Sequence, residues 1–461
     1  MEQQVDRHSF QRVLGRTDVL ALSIGTMIGW GWLALSGYWV ATGGVAGSVA
    51  AFILGAIIFI LIGNVYAELA AALPVAGGEI AFSYRALGYY FSVFVGWTIT
   101  FAYIGVAAWE GVAISTALAY LFPDISFPWV LIGVIGAIGV TLLNYFGPRP
   151  ATIFQVIITS AMMLSGFLFF FTSVSFGDIA NAEPFFTDSW GMITVLLIVP
   201  SMLLGFDIIP QFTEEMNIVP KQIGKLLVFS IFLCSTWYIL IIIGVSLAAP
   251  IEVRMAGLLP VADAMAYSMS SPVFGKIMIF GGILGIFSSW NGFMVAATRI
   301  LFAMGRAHMI PPIFGKLHSR YKTPTAAIFL VGGLCALAPL FGEKALLWLV
   351  NISSFEAVIS YMMIAISFLI LRKAEPKMER PYIFRSGAPL TLLVILILLV
   401  LLLLYTPAGL SILKWPYEWL VIMIWYLIGA MIVLYSRLTY SKITETQREV
   451  LIFGERYSRD V

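Results

Sequence analysis

The sequence predicts an all-α polytopic membrane protein of about 12 transmembrane helices, and three observations carry that expectation. Of the 461 residues, 61% are hydrophobic and only 11% charged, a balance that no soluble globular domain approaches. The apolar residues fall in runs near the about 20 residues that a spanning helix needs. Lys and Arg gather at alternate joints between those runs, as they do in cytoplasmic loops.

Taken in order, the chain opens on a tail, residues 1–17, with Asp6, Arg7, Arg12 and Arg16. The tail lacks the apolar core and small-residue cleavage site of a secretory signal, so the first span is expected to be retained. Spans are expected at 18–40, 47–73, 91–120, 128–146, 151–174, 190–212, 226–248, 273–304, 325–341, 345–371, 389–405 and 418–438. A second tail, 439–461, follows. The second, third and eighth runs are long enough to imply tilt. With the N-terminus in the cytoplasm, all but four of the 26 Lys and Arg residues lie on the cytoplasmic side, the exceptions being Arg254, Lys276, Lys344 and Lys414. The loop holding Asp178, Glu183 and Asp188 then lies outside, and both termini are expected in the cytoplasm of a cell bounded by this plasma membrane.

Several chemistries are excluded. His8, His308 and His318 all fall in cytoplasmic segments, so no histidine-based metal site forms within the membrane. No Gly-x-x-x-x-Gly-Lys loop is present, and no soluble domain is long enough to hold a nucleotide. Cys234 and Cys335 sit in apolar runs as packing residues, without a disulfide framework. An enzyme and a nucleic-acid binder are therefore not expected, and no cofactor is expected beyond coupling to sodium or protons.

Two spans interrupt themselves. The first holds Gly25-Thr26-Met27-Ile28-Gly29-Trp30-Gly31, with three glycines in seven residues. The sixth holds Pro200-Ser201-Met202-Leu203-Leu204-Gly205-Phe206-Asp207-Ile208-Ile209-Pro210. Irregular backbone in hydrocarbon is tolerated only where it lines a protein or water cavity, and proline and glycine bare that backbone. Interruptions in matching positions point to a transporter of two inverted repeats, here 18–174 and 190–371, with its substrate where both helices break. The remaining spans, 389–438, lie outside the repeat. A channel is the non-carrier alternative, since broken helices also build selectivity filters.

At these residues the chain resembles the amino acid-polyamine-organocation transporter superfamily. Ile28-Gly29-Trp30-Gly31 resembles the family's glycine-rich break, although a small residue is usual where Trp30 stands. Tyr66-Ala67-Glu68-Leu69 and Pro74-Val75-Ala76-Gly77-Gly78-Glu79 resemble the end of its second helix, and Gly205-Phe206-Asp207 with Glu214-Glu215 and Pro220 its sixth. Ala297-Thr298-Arg299-Ile300-Leu301-Phe302-Ala303-Met304-Gly305-Arg306 is similar to the end of its eighth helix, continuing through Pro311, Lys316-Leu317-His318 and Tyr321-Lys322-Thr323-Pro324. The likeness runs to about residue 370. It implies a five-plus-five inverted repeat with two added C-terminal helices, and secondary transport of amino acids or related amines by alternating access. It also implies that residues near Tyr103 face the ligand. Family members coupled to protons can carry a lysine in the fifth helix; the stretch from Gln155 to Met163 has none.

The residues define an expected site. Freed N–H groups at Gly29, Trp30 and Gly31 would cradle a carboxylate at a positive half-helix end. Freed carbonyls near Gly25, Thr26 and Ile28, and along Met202, Leu203 and Gly205, would take an ammonium group. With Tyr103 and Phe206 these residues make the substrate set and describe an α-amino acid. Three intramembrane carboxylates are coupling or gating candidates: Glu110, Asp207 and Glu356. Glu110 shares a helical stripe with Tyr103, about 10 Å further outward, and is the counter-ion in the alternative reading, an amine without a carboxylate such as a polyamine or amino alcohol. Asp207 is expected to hydrogen-bond the N–H groups bared at its break. Glu68, Arg299 and Arg306 are expected at the interface or supporting a gate. Ser288 and Ser289 offer hydroxyl oxygens to sodium, with carbonyls of the first break. The expected partners are a small-molecule substrate and the lipid bilayer; an accessory subunit is left open.

Overall fold

The computed structural model describes residues 10, 12–409 and 412–457. The expected tail positions outside them, Arg7 and Arg459 included, lie outside the described residues. Among the described residues the chain is helical with no strand, an all-α multi-pass membrane protein.

α1 (Arg16–Met27) is short because Ile28 leaves helical geometry (φ −107°, ψ 82°), and α2 (Gly31–Ala72) begins three residues later. A loop was expected between the first two spans. Instead α2 runs through both, bent by the single residue Gly44 (φ 72°, ψ 173°). A side chain there would come within 2.6 Å of Phe186 Cα as well as adopt a left-handed φ, so glycine alone turns the chain in this space.

α3 (Gly78–Leu87) leads into α4 (Tyr89–Leu121) and packs against it, followed by α5 (Val130–Tyr145) and α6 (Pro148–Phe176). α7 (Ser189–Leu203) contains Pro200 without breaking, because the interruption comes after Leu203; the rest of this span is a 3-10 run, Phe206–Glu215, rather than an α-helix. Next come α8 (Pro220–Ala248), the short α9 (Ile251–Ala256) and α10 (Pro260–Ser268), and α11 (Pro272–Arg306). α12 (Thr325–Leu337), α13 (Glu343–Ala374), α14 (Gly387–Tyr405), α15 (Tyr417–Thr439) and α16 (Glu445–Phe453) complete the described chain. Among the described residues, nine spans are long and apolar enough to cross a membrane; α5 and Thr325–Phe341 are shorter apolar helices.

α4 and α11 form the centre, and α14 and α15 the rim, where Leu396, Leu403, Leu427 and Leu434 face outward. Between helices in lipid the hydrophobic drive is weak, so close packing and small residues decide which faces meet. α11 shows how. Gly282, Gly285 and Gly292 recur at helical spacing, and a Cβ at each would strike Leu33 and Trp30, the Gly29 carbonyl, or Thr26. That stripe lets α11 lie directly on the interruption between α1 and α2.

Candidate functional site at the two helix breaks

The two interruptions touch. Gly205 (φ 120°, ψ −12°) lies so near the first break that an added Cβ would be 2.9 Å from Thr26 Cγ2 and 3.1 Å from Met27 N. A fixed turn after α7 requires this φ, which only glycine adopts freely.

At the first break the freed groups are met from other helices. Tyr238 of α8 donates its hydroxyl to Met27 O at 2.8 Å. The Glu110 carboxylate of α4 lies beside the Trp30 N–H and the Ser289 hydroxyl, with its Oε2 buried and without a hydrogen-bond partner. The Gly29 and Ile28 carbonyls face α11 at Gly285. At the second break the chain caps itself: Asp207 Oδ1 accepts from Gly205 N at 2.9 Å, and its Oδ2 accepts from the Tyr103 hydroxyl at 2.8 Å.

A narrow cavity of about 20 Å³ lies between the breaks. Its wall is Thr26, Met27, Gly29, Trp30 and Gly31 from the first break, and Ser201 and Met202 from the end of α7. α4 adds Val106, Trp109 and Glu110, α8 adds Tyr238, and α11 adds Ser289 and Phe293. Apolar walls and a few convergent polar groups are the lining of a site for a small polar solute, and a space this narrow must widen to admit one.

The expected residues divide. Thr26, Gly29, Trp30, Gly31 and Met202 line the cavity, and Glu110 joins them rather than sitting outward of the site. Trp30 packs its ring against Gly282 while bounding the cavity. Ile28 and Leu203 are fully buried away from the cavity wall. Tyr103 does not face the cavity; its hydroxyl is held by Asp207, and Val106 takes the lining position on α4. Phe206 turns into an aromatic cluster with Phe59, Tyr66 and Tyr361, ring centroids 5.3–5.8 Å apart. Glu356 is buried at the far side of α13, accepting from Tyr426 of α15 at 2.5 Å.

Gly25 lies against a polar network outside the cavity. Gln155 Nε2 donates to Ser288 Oγ at 2.7 Å, Thr159 and Ser288 hydroxyls are 2.9 Å apart, and Asn291 Nδ2 donates to Gln155 Oε1 at 2.8 Å. Ser288 points into this network and Ser289 into the cavity, about 100° apart on one helix.

Sequence reasoning did not single out Val106, Trp109, Ser201, Tyr238 or Phe293. The glycine stripe on α11 was a legible signal for the Phe293 face; Tyr238 had none, its partner being a carbonyl 211 residues away. Away from the cavity, Arg299 pairs with Glu215 at 2.9 Å, Arg306 with Glu214 at 3.0 Å, and Glu68 with Arg372 at 2.6 Å and Arg380 at 3.1 Å.

A family profile described as amino acid permease matches residues 14–431. The chain belongs to the amino acid permease family. It is a membrane transporter and not an enzyme. This permease is similar to the methylthioribose transporter of Bacillus subtilis, at 26% identity over 93% of this chain and 94% of that one. It is similar to the branched-chain amino acid permease BcaP of the same organism, at 26% over 81% and 84%. The aspartate-proton symporter of B. subtilis is 25% identical over 82% and 76%.

Proposed function

We propose that this permease is a secondary transporter that moves an amino acid across the plasma membrane by alternating access, the solute held between the two breaks. The observation that carries this reading is that both interrupted helices close on one cavity, with Gly205 of the second break seated on Thr26 of the first. The Gly29 and Gly31 N–H groups are available to a carboxylate, and the Ser201 hydroxyl and cavity-facing carbonyls to an ammonium group. Twelve crossings follow when α1 with the first part of α2, α5 and α12 each count as one. Residues 18–174 and 190–371 then form the inverted repeats, with 389–438 appended. In this reading the paired Arg299, Arg306, Arg372 and Arg380 lie on the cytoplasmic side with both tails, as the Lys and Arg distribution suggests, and their ion pairs open and close the inner path.

A second reading has its own observation. Glu110 lies beside the Trp30 N–H, part of the cradle a substrate carboxylate would use, and its buried Oε2 has no hydrogen-bond partner. A solute without a carboxylate, an amine with Glu110 as counter-ion, fits that arrangement, and methylthioribose, named for one relative, supplies a neutral comparison.

The test is radiolabelled uptake into proteoliposomes, with amino acids, their decarboxylated amines and methylthioribose as competitors, and with sodium and proton gradients imposed separately. Amino acids compete and amines do not if the first reading holds. Glu110→Gln then spares most uptake, whereas in the second reading it abolishes amine uptake. Flux that neither saturates nor shows counter-transport identifies a channel instead.

A further inference from the structure

A second buried acidic site stands between α3 and the self-capped break, outside the cavity. Glu79, the second residue of α3, is wholly buried. Its Oε1 accepts the hydroxyl of Tyr66 from α2, and its Oε2 has no hydrogen-bond partner. Gln211 lies beside it, donating Nε2 to Asp207 O at 3.2 Å, while Gln211 Oε1 also lacks a donor. Asp207, wholly buried as well, is near enough to Glu79 for the two carboxyl groups to repel.

The titratable and charged groups on the surrounding elements are Tyr66 from α2, Tyr103 from α4, Asp207 from the 3-10 run and Tyr361 from α13. The cations of the adjoining helices are engaged elsewhere: Arg299 with Glu215, Arg306 with Glu214, and Arg372 with Glu68. The pocket therefore holds two carboxyl groups and three phenols with no positive charge. Two like charges in a dry pocket cannot both persist, so a proton resides there. A proton on Glu79 Oε2 removes the charge from a buried oxygen that accepts no hydrogen bond. Burial, with Asp207 nearby, pushes the Glu79 carboxyl well above the usual carboxylate range.

Asp207 ties this pocket to the transport site, since the same carboxylate caps Gly205 and holds Tyr103. Displacing the 206–215 segment pulls Asp207 and Gln211 from Glu79 and admits water. We propose that Glu79 and Asp207 form a proton-binding site that carries one proton per transport cycle. The O–H bond forms on a carboxyl oxygen in the outward-facing state and breaks to cytoplasmic water when the inner path opens. This rests on the alternating-access reading above.

Three measurements on the full-length protein separate the two ideas. In detergent at neutral pH, the infrared spectrum of the wild type minus that of Glu79→Gln should show a protonated-carboxyl band; its absence overturns proton binding. In proteoliposomes with a radiolabelled amino acid mixture and no membrane potential, a pH step of about one unit should drive about tenfold accumulation at one proton per solute. Glu79→Gln should drop it to about onefold while keeping exchange at equal pH within about twofold. Driven accumulation that survives in Glu79→Gln, no pH-driven accumulation in the wild type, or loss of exchange in the variant overturns the coupling role. Absence of exchange in the wild type is instead failure of the amino acid reading, and the infrared difference still decides whether the pocket binds a proton.

Discussion

The two helix breaks border one cavity yet satisfy their freed backbone in opposite ways. At the first, the partners come from two other helices: Tyr238 on α8 donates to the Met27 carbonyl, and Glu110 on α4 lies at the Trp30 N–H. At the second, Asp207 caps Gly205 two residues away, and glycine's left-handed φ sets the turn. Groups borrowed from neighbouring helices are given up when those helices separate, and a solute or water can replace them. A self-capped turn keeps its hydrogen bonds wherever its segment goes. In the proposed transport cycle the first break meets the solute and the second moves as a unit held by the Asp207–Gly205 cap.

Three substitutions test that contrast, in falling order of effect. Gly205→Ala forces an L-residue to φ 120° and sets a methyl against Thr26 and Met27. The backbone term of about 1–2 kcal/mol and the packing term of about 1–3 kcal/mol should together lower the melting temperature in detergent further than any cavity variant does. Asp207→Asn turns an acceptor into a group with an amide donor between the Gly205 N–H and the Tyr103 hydroxyl, and should cost about 1–3 kcal/mol, read in the same melting experiment. Tyr238→Phe removes the donor to Met27 O; because that carbonyl borders the cavity and water can take the place of the phenol, the loss should stay near about 0.5–1.5 kcal/mol. The distinction between borrowed and self-made caps collapses if Tyr238→Phe destabilises as much as Asp207→Asn.

The positions of the breaks were legible because glycine and proline inside apolar runs are a local signal. Gly29, Gly31 and Met202 were reachable by that route and line the cavity. Which face of a helix looks inward was not. Successive residues turn by about 100°, so Val106, three positions on from Tyr103 and about 60° round the helix, lines the cavity wall while the Tyr103 hydroxyl is clasped by Asp207. The same rotation sends Ser288 and Ser289 to different sites. Glu356 was legible as an intramembrane carboxylate, but only packing showed that it turns toward Tyr426 of α15 instead of the cavity. Gly44 read as part of a loop because a one-residue bend leaves the composition of its flanks unchanged.

By itself, then, the sequence determined a multi-pass helical membrane protein and the two places where its backbone is bared, since both follow from hydropathy and from residues that act on their own dihedrals. The tertiary structure decided what answers the bared groups: Glu110 at the Trp30 N–H, Tyr238 at the Met27 carbonyl, and Glu79 enclosed with Asp207. Those pairings join helices distant in the chain, and in lipid such helices are brought together by shape and small-residue contact, which no local run of residues encodes.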